Sequence, residues 1–292
     1  MSHLKAASSL QKILFVIAVF LIFTVLFLFF PPQAMDYHVT FYKSASHPLQ
    51  PYTQTGFNYP PWMALVLYPL HFFSENLSVA INCSLSLIVF ALLVISRKGD
   101  RLALLLTLTS FPFLSMISNG NIEWVPAIGF LLQNEWGLLF LLTKPQTGLL
   151  AVLAWMNSLK KFVLFCLVAL GIMLFSFLLW GNWISMLLTN LQFMNSSEYP
   201  LSFWNIAPFP WAIPVGLGLV FYILKYRPPD QEFLGVLATI CLVPYLAVYS
   251  LSIAFALLSA SNRKLSIFFW ILFWLYPLLG GWSTILNLLG LS

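Results

Sequence analysis

The feature that most limits what this chain can fold into is the length of its uncharged apolar runs. Residues 13–30 contain no charged side chain and one polar side chain, Thr24. A helix of about 20 apolar residues has the length needed to cross a bilayer core. Of the 292 residues, 61% are hydrophobic and 7% are charged, whereas soluble domains are about 25% charged. We therefore predict an integral membrane protein and exclude a soluble enzyme or a nucleic-acid-binding protein.

Basic residues indicate how the chain is oriented in the membrane. Of the 13 Lys and Arg residues, all except Lys43 and Lys144 fall in five clusters: Lys5 and Lys12; Arg97, Lys98 and Arg101; Lys160 and Lys161; Lys225 and Arg227; Arg263 and Lys264. Lys and Arg collect in cytoplasmic loops of membrane proteins. The clusters therefore predict a multi-pass protein of the cell membrane with a cytoplasmic N-terminus. The run at 13–30 exceeds the usual core of a signal peptide, so we interpret it as an uncleaved first span.

The alternation of apolar runs and basic clusters predicts an all-α bundle. We expect about 9–11 spans in a single integral membrane domain over residues 1–292. The predicted membrane segments are 13–30, 77–96, 102–118, 122–132, 137–143, 146–156, 162–180, 211–224, a pair between 227 and 263 broken at Pro244, and 265–285. The apolar run 61–73 is too short to cross a bilayer, so we predict an outer juxtamembrane helix that begins at Pro60 and Pro61.

Polar and aromatic residues concentrate in the outer connections 31–76 and 181–211 and at the ends of the spans on the same side. The connections on the basic side are short. We therefore expect any functional site on the outer face. Tyr and Trp on that face also fit the aromatic belt that marks membrane interfaces.

The positions of three charged residues suggest that they belong to a functional site. Asp36 follows the first span and is either a base held at the interface or an ordinary loop residue. Glu123 follows the Asn119-Gly120-Asn121 break, where it either lines a cavity or caps a helix. Lys144 lies within an apolar run, and a cation inside a membrane is a functional hypothesis by default. We expect Lys144 to contact a phosphate, with extension of its side chain to the interface as the alternative.

The spacing of the histidines and cysteines does not indicate a metal site or a redox site. The histidines nearest Asp36, namely His38, His47 and His71, match no metal-binding pattern. The three cysteines lie in apolar stretches without a C-x-x-C motif. We predict neither a metal nor a cofactor.

The order of short motifs resembles the GT-C class of polytopic glycosyltransferases, specifically the polyprenol-phosphate-sugar-dependent mannosyltransferase-like families. The motifs are an Asp after the first span, then GFNYPPWMALVLYPL, SNGNIEW, LLTKPQTGLL and VPYLAVYSL. The resemblance extends from Asp36 to Tyr249. It implies a GT-C-like fold in which an outer acidic residue precedes a Tyr-Pro-Pro element.

The resemblance also implies an activity and a set of site residues. The enzyme would transfer a mannose-like hexose from a polyprenyl-phosphate donor to a hydroxyl of a lipid or glycan acceptor, with inversion. Asp36 would be the catalytic base and Lys144 would bind the donor phosphate. The other expected substrate-binding residues are His38, Tyr59, Trp62, Asn121, Glu123, Gln146, Trp204 and Tyr245.

The sequence is also compatible with two other functions. A transporter or flippase of a lipid-linked substrate is the first, and a non-catalytic membrane partner is the second. A transporter needs polar residues on both faces and through the membrane, whereas the polar residues of this sequence concentrate on one face.

Overall fold

The computed structural model describes residues 9–54, 56–195 and 205–279, and every regular element within these ranges is helical. The α-helices are α1 (Ser9–Phe29), α2 (Tyr42–Ser46), α3 (Trp62–His71), α4 (Glu75–Ser96), α5 (Arg101–Leu108), α6 (Phe111–Asn119), α7 (Trp124–Leu132), α8 (Glu135–Leu141), α9 (Val152–Trp155), α10 (Leu159–Trp180), α11 (Trp183–Asn195), α12 (Ile213–Tyr226), α13 (Gln231–Leu242), α14 (Leu251–Ser261) and α15 (Arg263–Leu279). Single π or 3-10 turns occupy Tyr37–Phe41, Pro51–Thr53, Pro145–Thr147, Leu149–Ala151 and Val248–Ser250. The prediction of an all-α protein is confirmed for these ranges.

Three of the described helices, α1, α4 and α10, are long and apolar enough to cross a membrane. Helices α5 and α6 add a fourth span if the 50° bend between them is counted as a break within one span. The described residues thus contain fewer helices of spanning length than the 9–11 spans predicted. The other predicted spans in these ranges are shorter helices, such as α12 with 14 residues and α14 with 11. The protein is a helical membrane bundle that contains many short helices.

Helices α1 and α10 expose apolar side chains around most of their circumference, as expected for contact with lipid. Helix α4 is more buried and lies beside α1. Thr24 Oγ1 donates a hydrogen bond to Ser84 Oγ at 3.1 Å, so the C-terminal half of α1 contacts the N-terminal half of α4. Helix α4 also packs against α5, α7 and α14, which makes it the central element of the bundle.

Helices α7 and α8 form a hairpin of two short helices in close backbone contact. A Cβ atom at Gly129 would lie 2.6 Å from the carbonyl oxygen of Gly137, so the approach requires glycine. The nine residues of α7 span about 14 Å, roughly half of a bilayer core. Each helix of the hairpin is therefore too short to cross a bilayer core.

One end of the bundle, here called the basic end, is closed by a network around Glu232. Arg97 Nε and Nη2 donate to its two carboxylate oxygens at 2.7 and 2.9 Å. Gln133 Nε2 and Trp155 Nε1 donate to Glu232 Oε1 at 3.1 and 3.0 Å. The C-terminal ends of α4, α7 and α9 and the start of α13 therefore meet at this end. The side of the membrane that it faces stays a prediction.

The predicted helix at 61–73 is present as α3, which begins directly after Pro60 and Pro61. Its position along the membrane interface stays a prediction. The predicted span 146–156 is wrong, because Pro145 and Gly148, with a φ of +158°, break it into two 3-10 turns and the short helix α9. The long loop expected at 181–211 contains helix α11, so its first half is not a loop.

Candidate functional site

The site is built on the break between α6 and α7. Gly120 adopts a left-handed conformation with a φ of +66°, and a Cβ atom there would lie 2.7 Å from Tyr37 Cβ. The amide of Ala34 donates to the carbonyl of Ser118 at 2.8 Å, which holds the segment after α1 against the break. Asp36 consequently lies beside Asn121, whose Nδ2 donates to Asp36 Oδ2 at 3.0 Å.

Asn82 of α4 holds the backbone of this break in place. It is fully buried, donates from Nδ2 to the carbonyl of Gly120 at 3.2 Å, and accepts from Trp124 Nε1 at 2.7 Å. At 1.5 Å per residue, Asn82 lies about 10 Å from the start of α4 and about 21 Å from its end at the basic end. Sequence reasoning missed Asn82, although an amide in a long apolar helix is a recognisable signal.

Lys144 is paired inside the protein. Its Nζ donates to Glu123 Oε1 at 2.6 Å and to Asn121 Oδ1 at 2.8 Å, and 1% of the residue is exposed. Ser250 Oγ also donates to Glu123 Oε1, at 2.9 Å. Extension of Lys144 to the interface, the alternative for this residue, is therefore excluded. Glu123 lies at the N-terminus of α7, as the alternative for this residue expected, but its side chain makes no capping hydrogen bond and pairs with Lys144 instead.

Two tyrosines contact the ammonium group of Lys144. The ring centres of Tyr249 and Tyr59 lie 4.8 and 5.4 Å from Nζ, within the range of cation–π attraction. Tyr249 belongs to the turn that precedes α14. Sequence reasoning did not select Tyr249 as a site residue, although it ends the last of the motifs that resemble GT-C enzymes.

Asp36 is the half-buried acid at the edge of this cluster. Burial raises the pKa of its carboxyl above the usual value, while the hydrogen bond from Asn121 and the charge of Lys144 act in the opposite direction. With Asp36 and Glu123 ionised, the cluster carries two negative charges and one positive charge. Glu123 Oε2 is buried and has no hydrogen-bond partner among the described residues.

The structure brings six of the ten predicted site residues together: Asp36, Tyr59, Asn121, Glu123, Lys144 and Tyr245. Tyr59 and Tyr245 are half-buried and lie close enough to Asp36 to interact with it electrostatically. Together they form a polar cluster at the end of the bundle opposite the basic end.

The remaining predicted residues lie outside this cluster. His38 Nδ1 contacts Glu75 Oε1 at 2.8 Å in a partly exposed pair. Trp62 is 7% exposed and packs edge-to-face on Trp183, with the ring centres 5.7 Å apart. Gln146 is half-buried in the 3-10 turn after Lys144. Trp204 lies outside the described residues.

Comparison with protein-family models, with curated proteins and with solved structures found no match. The assignment of a function therefore depends on the site itself. The fold and the site define a helical membrane protein in which a buried Lys–Glu pair adjoins a half-buried aspartate. Within the described ranges, no group of three or more His, Cys, Asp or Glu side chains is arranged to hold a metal ion.

Proposed function

We propose that this protein is a GT-C-like membrane glycosyltransferase that transfers a mannose-like hexose from a polyprenyl-phosphate donor to an acceptor hydroxyl. The observation that supports the proposal most is the linkage of Asp36, through Asn121, to the buried Lys144–Glu123 pair. A half-buried carboxylate beside an oriented cation suits a reaction that removes a proton from a hydroxyl and releases a phosphate.

In this reaction the acceptor oxygen attacks the anomeric carbon and the bond from that carbon to the phosphate oxygen breaks. Asp36 takes the proton of the acceptor hydroxyl, and the polyprenyl phosphate leaves with the bonding electron pair. The raised pKa of Asp36 makes it a stronger base than an exposed aspartate. Attack from the face opposite the phosphate inverts the anomeric configuration.

Lys144 is the cation proposed to contact the donor phosphate. Two of its three N–H groups bind Asn121 and Glu123, which leaves the third for a phosphate oxygen. Because Glu123 offsets its charge, Lys144 would offer the phosphate an oriented hydrogen bond rather than excess positive charge. Tyr59 and Tyr249 would shield this contact from water.

The experiment that tests the proposal uses purified protein in detergent with labelled polyprenyl-phosphate mannose or glucose and soluble methyl glycosides as acceptors. We expect transfer by the unmodified protein and a loss of at least about a hundredfold in Asp36→Asn, the lower range for a general base. Asp230→Asn, at an exposed carboxylate near the basic end, is the matched control and should retain activity. Absence of transfer with both donors would contradict the proposal. More than about a tenth of normal turnover in Asp36→Asn would exclude Asp36 as the base.

A second candidate function is favoured by the depth of the ion pair. Asn82, which fixes the break that carries Asn121, lies about 10 Å inside the end of α4 that is nearest the site. Buried charges beside short, broken helices are typical of transporters as well as of enzymes. A transporter would expose a cysteine at position 146 to reagents from both sides of the membrane in alternation. A glycosyltransferase would expose that cysteine from one side only.

A further inference from the structure

An apolar groove lies on the surface of the bundle between the start of α10 and the segment 149–156. Its volume is about 200 Å³, below the roughly 300–1,000 Å³ of sites that enclose a whole small molecule. Its walls come from α8, from the segment 149–156 and from α10, and the α10 residues are Phe162, Phe165, Cys166 and Ala169. A narrow groove with this lining fits a hydrocarbon chain.

The groove runs along α10 and opens toward lipid. Its α10 residues follow the spacing i, i+3, i+4, i+7, so they lie on one face of the helix. At 1.5 Å per residue, this face extends for about 10 Å from Phe162 to Ala169, about two thirds of one leaflet of the bilayer core. Phe162 and Cys166 are exposed, so a lipid chain can enter the groove from the side.

Two cations lie where the groove begins. Lys160 and Lys161 occupy the first turn of α10, are exposed, and form no ion pair with a described residue. Lys161 precedes Phe165 by four residues and therefore lies on the same face of α10 as the groove. The N-terminus of α10 also carries the positive end of the helix dipole. This end of the groove therefore favours an anion.

The opposite wall adds a third cation. Arg227 Nη1 donates to the carbonyl of Leu153, a lining residue, at 2.9 Å. The acids Glu135 and Asp230 on the adjoining segments leave the three cations in excess. Leu153 is two residues from Trp155, which belongs to the network at the basic end. The charged opening of the groove thus lies at the basic end, whereas the candidate site lies at the opposite end.

We propose that this groove binds one acyl chain of an anionic phospholipid from the leaflet at the basic end, with the lipid phosphate at Lys160 and Lys161. Lys and Arg next to membrane helices attract the anionic lipids of the cytoplasmic leaflet. The chain would also cover Leu149 and Leu150, which line the groove and follow Lys144 within the same broken segment. The lipid would therefore stabilise this segment. Its binding requires neither donor nor turnover.

The test measures binding of dioleoyl phosphatidylglycerol and dioleoyl phosphatidylcholine to the purified full chain by native mass spectrometry. The double variant Lys160→Gln with Lys161→Gln removes two charges at the opening. Arg263→Gln with Lys264→Gln is the matched control, because these two cations are exposed at the start of another helix, α15. We expect phosphatidylglycerol to bind at least about tenfold more tightly than phosphatidylcholine, and this preference to fall at least about fivefold in the first double variant only.

A second pair of variants tests the chain site. Cys166→Trp fills the groove, because Cys166 is exposed on its wall. Leu170→Trp is the matched control, since Leu170 is exposed on the same helix and does not line the groove. We expect affinity for phosphatidylglycerol to be at least about tenfold weaker in Cys166→Trp and unchanged in Leu170→Trp.

Three results would overturn the proposal: equal binding of the two lipids by the unmodified protein, the same affinity in a test variant as in its control, or equally tight binding of soluble glycerol 3-phosphate. Tighter binding of polyprenyl phosphate than of phosphatidylglycerol would assign the groove to the tail of the proposed donor and reject the proposal as well. Specific phosphatidylglycerol binding by a protein that shows no transfer would keep the lipid site and reject the glycosyltransferase.

Discussion

Asn121 is the residue that couples the proposed base to the buried ion pair. Its amide donates to Asp36 and its carbonyl oxygen accepts from Lys144. The hydrogen bond to Asp36 favours the ionised carboxylate and so lowers its pKa, against the larger effect of burial. Asn121 therefore helps to set the pH above which Asp36 is available as a base.

We predict that Asn121→Ala moves the acid limb of the pH profile for kcat/KM to higher pH. The variant removes an interaction that lowers the pKa of Asp36, so the carboxyl loses its proton at a higher pH than in the unmodified protein. Activity measured well above that limb should recover in part. An acid limb at unchanged pH would contradict this role for Asn121.

Lys144 and Glu123 form a buried ion pair, so removing one partner should lower the free energy of unfolding. Lys144→Met leaves a fully buried carboxylate without a counter-charge, which typically costs about 3–5 kcal/mol. Thermal unfolding in detergent should show a clear fall in Tm for Lys144→Met. The double variant Lys144→Met with Glu123→Gln should recover much of that loss, because the unpaired charge is gone. Equal Tm values for the single variant and the unmodified protein would contradict the pairing.

For individual residues, the sequence indicates which side chains belong to the site but not which side chains they contact. Lys144 and Asp36 stand out because charges are rare in this chain, and Glu123 and Asn121 stand out because they adjoin a Gly break. The pairing of Lys144 with Glu123 depends on how two short helices are positioned, and local sequence does not encode that position. Asn82 shows the same limit, because its contacts with Gly120 and Trp124 join α4 to a distant segment.

Among the elements, the break between α6 and α7 controls the geometry of the site. Its left-handed residue, Gly120, also contacts the turn that carries Asp36. A side chain at position 120 would therefore shift the turn away from Asn121.

We predict that Gly120→Ala reduces transfer by up to about a hundredfold, since small displacements of a catalytic group have effects of this size. The variant should also lower Tm, because alanine is strained at a φ of +66°. Gly171→Ala is the matched control: it lies inside α10 with open space around it, and alanine favours the helix. Normal activity and Tm in Gly120→Ala would contradict the proposed role of the break.

The lengths of the elements follow from the sequence only where apolar runs are uninterrupted. The runs at 13–30, 77–96 and 162–180 became the long helices α1, α4 and α10. The run at 146–156 is shorter and begins with Gln146 and Thr147, and Pro145 and Gly148 prevent a regular helix there. Hydropathy measures whether a segment prefers lipid, whereas proline and glycine decide whether it can cross as one helix.

For the whole molecule, the arrangement of charges predicts which end faces the cytoplasm. Arg97 contacts Glu232 at the basic end, whereas Asp36 lies at the opposite end with the candidate site. In a background without the native cysteines, we predict that cysteines at the exposed positions 98 and 160 stay unlabelled by an impermeant reagent in intact cells. A cysteine at the exposed position 43 should be labelled. Labelling at 98 or 160, but not at 43, would reverse the proposed orientation.

The α7–α8 hairpin also has a consequence for how the protein is made. Neither helix is long enough to cross the bilayer alone. Inserting a charge costs more the closer it lies to the membrane centre, up to about 2.5–3.5 kcal/mol. Glu123 leaves the ribosome only 21 residues before Lys144, so the two charges can neutralise each other within one inserting hairpin. Helix α4, synthesised earlier, is already present to receive it through Asn82 and Trp124. Ser250 follows Glu123 by 127 residues, so we expect the ion pair to assemble during translation and the last helices to enclose it afterwards.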